Sequence, residues 1–158
     1  MNSCTGVDGA IQERLTESPV AFAAAAQRSW PETILLVEDE AFVRNATAEV
    51  LESAGYRLVI AASAAEALDA YRKCVGRVDL LLADVVMPGM SGSELAAEFE
   101  RLCPRARVLL MSGRDEQVAG PARSCDGKNY LAKPFSVGAL LARVREALDA
   151  NPFNGANA

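Results

Sequence analysis

LLLADVVMPGMSG, Leu80–Gly92, is the stretch whose reading decides the fold. Its front end is a short apolar run, the pattern of a parallel strand buried on both faces. That strand is expected over Asp79–Ala83. A single carboxylate, Asp84, follows it. Met87–Ser91 then forms a Pro-Gly loop, because Pro88 and Gly89 break regular structure. Ser91 or Gly92 opens a helix to about Cys103, stopped by Pro104.

Outward from this stretch the same strand-then-helix pattern repeats. Ile34–Val37 reads as a buried strand. Ala41–Ala54 reads as a helix with Phe42, Ala46, Val50 and Leu51 on one face and Gly55 as its stop. Arg57–Ala61 is the second strand, and Ser63 caps a helix running to about Cys74. On the other side, Arg107–Met111 is the fourth strand. Glu116–Arg123 is a poor helix, interrupted by Gly120 and Pro121. Tyr130–Ala132 is a short fifth strand. Ser136 caps a last helix with Leu140, Leu141, Val144 and Leu148 as its apolar stripe. This alternation predicts an α/β fold, a parallel sheet with helices on both faces. Residues 1–31 read as a flexible N-terminal extension, 32–150 as the domain, and 151–158 as a flexible tail rich in Asn, Gly and Ala.

A chain of 158 residues makes one domain, and 51% hydrophobic residues are enough for a sizeable core. The net charge of -5, without any run of Lys and Arg, argues against nucleic acid as a partner. Four cysteines, Cys4, Cys74, Cys103 and Cys125, form no CxxC pair, and the chain has no His. A zinc site and His-based catalysis are therefore excluded, and scattered thiols point to a reducing, cytoplasmic compartment. The longest N-terminal apolar run, Val20–Ala26, is far short of the ~20 residues a membrane span needs. Asp8 and Glu13 stand where a secretory signal would carry basic residues.

In parallel α/β sheets ligands sit beyond the carboxyl ends of the strands. The polar residues there are Glu38 and Asp39 after the first strand, Asp84 after the third, Ser112 after the fourth and Lys133 after the fifth. Three carboxylates at one place repel each other unless a divalent cation sits among them. Oxygen ligands without His or thiolate suit Mg²⁺. Asp84 is then either a ligand only or a nucleophile toward phosphorus. For phosphoryl transfer, Lys133 supplies a point charge and the Ser112 hydroxyl a hydrogen bond.

The tracts LLVEDE (Leu35–Glu40), LLLADVVMPGMSG (Leu80–Gly92), LLMSG (Leu109–Gly113) and YLAKPF (Tyr130–Phe135) resemble the signatures of response-regulator receiver domains, in the same order and at similar spacing. The resemblance covers about residues 32–150. It implies a flavodoxin-like, doubly wound five-stranded sheet of order 2-1-3-4-5. Asp84 would be the phosphoacceptor. Glu38 and Asp39 would be the acidic pair, with Asp39 a direct ligand of Mg²⁺ and the Val86 backbone carbonyl another. Ser112 would be the switch hydroxyl, Lys133 the phosphoryl contact and Tyr130 the switch aromatic. The Lys133-Pro134 bond would be cis. In this family the side chains two residues after Asp84 and two after Ser112, here Val86 and Arg114, flank the path of a hydrolytic water.

Two features depart from the family's pattern. Glu38 stands where Asp is commoner, and Gly120, Pro121 and Gly127 interrupt the fourth-helix region. The DVVMPGMSG and MSG wording also resembles receivers attached to hybrid histidine kinases. The expectation is a stand-alone regulator, a monomer or weak dimer. It would take phosphate from a histidine kinase or phosphotransfer protein and signal to a downstream protein partner, with no membrane contact. It would not be a turnover enzyme beyond its own phosphorylation and slow dephosphorylation. Competing readings are a phosphorylation-independent pseudo-receiver and an aspartyl-nucleophile phosphatase. The phosphatase needs a second Asp as acid and base where this chain has Val86, which moves no proton.

Overall fold

A computed structural model of the chain describes residues 31–73, 77–113 and 130–150. All lie within a compact unit that begins at Pro31. Five strands alternate with four helices among these residues: β1 (Thr33–Val37), α1 (Ala41–Ser53), β2 (Arg57–Ala61), α2 (Ala64–Lys73), β3 (Leu80–Asp84), α3 (Gly92–Leu102), β4 (Arg107–Ser112), β5 (Tyr130–Ala132) and α4 (Val137–Asp149). The strands form one parallel sheet in the order β2-β1-β3-β4-β5. This is the expected α/β architecture and strand order.

The central strands are apolar throughout because both of their faces are covered. Side chains alternate across a strand, and the core divides accordingly. Leu35, Val37, Leu81 and Ala83 pack with Ala64, Ala67 and Leu68 of α2 and Leu95, Ala96 and Phe99 of α3. Ile34, Leu36, Leu80 and Leu82 pack with Ala48 and Leu51 of α1 and Leu140, Val144 and Leu148 of α4. Burying one such Leu is worth ~2 kcal/mol.

Serine hydroxyls start three of the helices. Ser63 accepts from the Glu66 amide and Ser136 from the Ala139 amide. Ser91 accepts from the Glu94 amide while Glu94 accepts from the Ser91 amide, a reciprocal capping box.

Helix α1 turns part of the expected face inward: Leu51 is buried and Val50 packs against the core, but Phe42 and Ala46 do not. Its buried residues are Thr47, Ala48 and Leu51, whereas Phe42 is 80% exposed and Ala46 is exposed as well. The stripe through Phe42, Ala46 and Val50 runs beside the buried one, and with Pro134, Phe135 and Val137 it walls an open apolar groove of about 580 Å³. Asp84 and Ser112 are the last residues of their strands instead of the first beyond them. The ladder runs one step further than the apolar runs: Asp84 pairs with Met111 and Ser112 with Ala132. The expected helix over Glu116–Arg123, residues 1–30 of the expected 1–31 extension and the tail over 151–158 lie outside the described residues.

Candidate functional site

Alternation along the strands carries the site. Glu38 continues the parity of Ile34 and Leu36, and Asp84 that of Leu80 and Leu82, so both carboxylates leave the sheet on the face covered by α1 and α4. Both are buried, at 1% and 8% exposure. Lys133 follows β5, held where its amide donates to the Ser112 carbonyl at 2.7 Å. The Lys133-Pro134 bond is cis, as expected.

The Lys133 ammonium donates to Glu38 Oε2 and to Asp84 Oδ2, each at 2.8 Å. The other two carboxylate oxygens take backbone amides: Glu40 N–H reaches Glu38 Oε1 at 3.2 Å, and Val86 N–H reaches Asp84 Oδ1 at 3.3 Å. Asp39 is exposed, and oxygens of Glu38, Asp39 and Asp84 lie within 4.8 Å of one another. Four of the five residues expected at this end of the sheet thus meet at one point.

The electrostatics follow from crowding. Burial lifts the Glu38 carboxyl above its ordinary range, and the Asp84 charge adds to this, against the lowering pull of Lys133. Burial alone would lower Lys133, but its bonds to Asp84 and Glu38 outweigh that and hold the ammonium above its ordinary value. Lys133 bonds two of the three carboxylates, and the Arg44 guanidinium reaches only main-chain oxygens beside them, so acidic side chains outnumber the cations in contact with them. An oxygen-only donor set with that surplus fits Mg²⁺ and suits neither zinc nor copper.

The remaining residues stand around this centre. Val86 lies two residues past Asp84 and is 54% exposed. Ser112 is half-buried at the end of β4 and has the parity of Leu110. Tyr130 pairs with Leu110 and packs against the cluster on the α2 and α3 side. Ser112 and Tyr130 thus share the parity of Leu110 on adjacent strands. The Tyr130 carbonyl accepts from Arg143 Nη2 at 2.8 Å. Arg114 lies outside the described residues.

Two contributors were not read from the sequence. Gly92 approaches the Asp84 carbonyl so closely that a Cβ there would lie 2.0 Å from the oxygen. Only a three-dimensional contact reveals this. Arg44 bonds the backbone of the acidic pair. Its signal in the sequence is a cation in the first turn of a helix, where the helix dipole disfavours it.

The described residues contain no helix long and apolar enough to cross a membrane. Residues 34–145 match the response regulator receiver domain family. The chain is 36% identical over 144 residues to the sensor kinase CckA of Brucella abortus, covering 87% of this chain and 15% of that protein. It spans about half the length of the Bacillus subtilis transcriptional regulatory proteins YkoG and YbdJ that it also matches. Among solved structures, the chemotaxis protein CheY4 of Vibrio cholerae superposes with a TM-score of 0.60 at 27% identity, over 75% of this chain and 99% of that one. With the matched residues covering most of the sequence and the acidic cluster at the strand ends, this chain belongs to the response regulator receiver domain family of two-component systems.

Proposed function

We propose that Asp84 accepts a phosphoryl group from a phosphohistidine on a histidine kinase or phosphotransfer protein, and that the phosphorylated domain signals by binding a downstream protein partner. The observation that carries this reading is Lys133 bridging Glu38 and Asp84 at 2.8 Å beside Asp39. A catalytic cation and a buried carboxylate are already in contact, next to acidic oxygens that suit a metal.

Asp39, Asp84, Glu38 and the Val86 backbone carbonyl would hold Mg²⁺, which when bound supplies charge neutralisation on the phosphoryl oxygens. A carboxylate oxygen of Asp84 attacks phosphorus. The N–P bond of the donor breaks, an O–P bond forms, and the donor imidazole keeps the electron pair of the broken bond and takes up a proton. Lys133 holds its positive charge on the Asp84 side of the site, where the new phosphoryl oxygens arrive. The Ser112 hydroxyl donates to one of those oxygens, and its movement frees space for Tyr130, a two-state packing change. Turnover of small phosphate esters is not part of this reading, because Val86 offers no acid.

The test is incubation with a small phosphodonor such as phosphoramidate and Mg²⁺. Intact-mass analysis should find one phosphoryl group, removed by hydroxylamine as an acyl phosphate is. Asp84→Asn, or chelation of Mg²⁺, should abolish it. Unchanged incorporation in Asp84→Asn would move the acceptor elsewhere.

A further inference from the structure

Arg44 closes the first turn of α1 and reaches back over the loop that carries the acidic pair. Its Nη1 donates to the Glu38 carbonyl at 2.8 Å and to the Asp39 carbonyl at 3.1 Å. Its own amide donates to the Glu40 carbonyl at 2.9 Å. One residue thus satisfies three consecutive carbonyls of the loop. From the other side, the Glu38 amide donates to the Ala61 carbonyl at 3.2 Å.

The placement runs against local preference. A cation in a first helical turn opposes the helix dipole, and α1 has neither a capping side chain nor an acidic residue there. Departures of this kind are expected at functional positions. The guanidinium bonds no carboxylate of the cluster; its recorded partners are main-chain oxygens, which set the planes of the two peptide groups following Glu38 and Asp39.

We propose that Arg44 is a positioning residue for the metal: it fixes the backbone of Glu38 and Asp39 so that their carboxylates converge with Asp84 before the cation arrives. This rests on the reading of the acidic cluster as a Mg²⁺ site. Lys133 cannot do the same work, because it contacts the oxygens that the metal needs, whereas Arg44 leaves them free.

The proposal separates from simple electrostatics by sign. Removing a positive charge near three carboxylates should tighten a divalent cation. Removing a tether should weaken it, since the loop must then be ordered at the expense of binding. The experiment is calorimetric titration of the full chain with Mg²⁺ alone, for wild type, Arg44→Met and Arg44→Lys. Arg44→Met keeps the aliphatic stem and loses the donors, and should bind Mg²⁺ about tenfold more weakly. Arg44→Lys should fall between it and wild type, since an ammonium lacks the planar fork. Equal or tighter binding by Arg44→Met overturns the proposal. If that variant does not melt cooperatively, Arg44→Lys decides: weaker binding than wild type supports the tether, and equal or tighter binding overturns it. No phosphodonor is present in the titration. A wild-type chain that binds Mg²⁺ yet accepts no phosphoryl group would therefore sink the signalling reading alone. A wild-type chain that binds no Mg²⁺ would sink both.

Discussion

Gly92, the first residue of α3, lies against the backbone of Asp84 with no room for a side chain. A Cβ there would sit 2.0 Å from the Asp84 carbonyl oxygen and 2.8 Å from its carbonyl carbon. The contact is tied by the Gly92 amide, which donates to the Val85 carbonyl at 2.9 Å. The obstacle is main chain on both sides, so neither partner can rotate away. Gly92→Ala should therefore push the start of α3 off the end of β3. The expected cost is ~2 kcal/mol of stability, as for other overpacked positions, with a weaker Mg²⁺-induced rise in melting temperature. Chemical denaturation with and without Mg²⁺ measures both. A variant as stable as wild type would mean that the loop gives way without strain.

The capping box that starts the same helix makes stability pH-dependent on the acid side. The Ser91 amide and hydroxyl hold the Glu94 carboxyl below its ordinary value of 4.5. A carboxyl lowered by folding stabilises the domain above its unfolded pKa, and that contribution is lost as pH falls through the folded value. The window therefore lies below pH 4.5. Glu94→Gln removes the titration, so its stability should fall less steeply than wild type over that range. Ser91→Ala should cost ~1 kcal/mol at neutral pH through loss of the cap. Urea melts across pH compare the slopes, and parallel acid limbs for Glu94→Gln and wild type would rule the coupling out.

Lys133 stands between two carboxylates that solvent barely reaches. Lys133→Met would leave Glu38 and Asp84 facing each other without a counterion. Breaking a buried pair in this way costs ~3 kcal/mol, taken at the low end because the Lys133 side chain is 24% exposed. Bound Mg²⁺ replaces part of the missing charge. The melting temperature of Lys133→Met should consequently rise more with Mg²⁺ than that of wild type, although phosphorylation is lost. Equal rises in both proteins would show that Lys133 and the metal do not serve the same carboxylates.

The sheet and most of the site were legible because their signals are local. Apolar runs name the buried strands, and the residues closing them, Glu38, Asp39, Asp84 and Lys133, are chemically unmistakable at that end. The face of α1 was legible only in part. Hydropathy selects Phe42, Ala46, Val50 and Leu51, and of these the helix buries Leu51, yet it exposes Phe42 and Ala46 and buries the polar Thr47. The role of Gly92 was hidden for another reason: a glycine opening a helix reads as a cap until the distance to Asp84 is known. Arg44 offered a legible clue, its charge at the wrong end of a helix dipole, but only coordinates reveal which carbonyls it takes. The extra step of β3 and β4, which makes Asp84 and Ser112 strand residues, follows from ladder pairing that polar side chains conceal.

The lifetime of the phosphorylated state should be set in part by Val86. Hydrolysis of an acyl phosphate needs a water in line with the scissile O–P bond, on the open side of the phosphoryl group. Asp84 itself is 8% exposed, whereas Val86 two residues on is 54% exposed. The Val86 amide donates to Asp84 Oδ1, which fixes this residue close to the acceptor. An isopropyl group there blocks space and offers no hydrogen bond, so an attacking water finds nothing to orient it. Val86→Asn supplies both a donor and an acceptor at similar size. Autodephosphorylation should accelerate by about tenfold, within the range a positioned polar group contributes. The rate of phosphorylation should change little, because the Lys133 contact with Asp84 remains. Decay of the phosphorylated protein after removal of the donor, followed by intact-mass analysis, gives the rate directly. A decay unchanged or slowed by the substitution would place the water's path elsewhere.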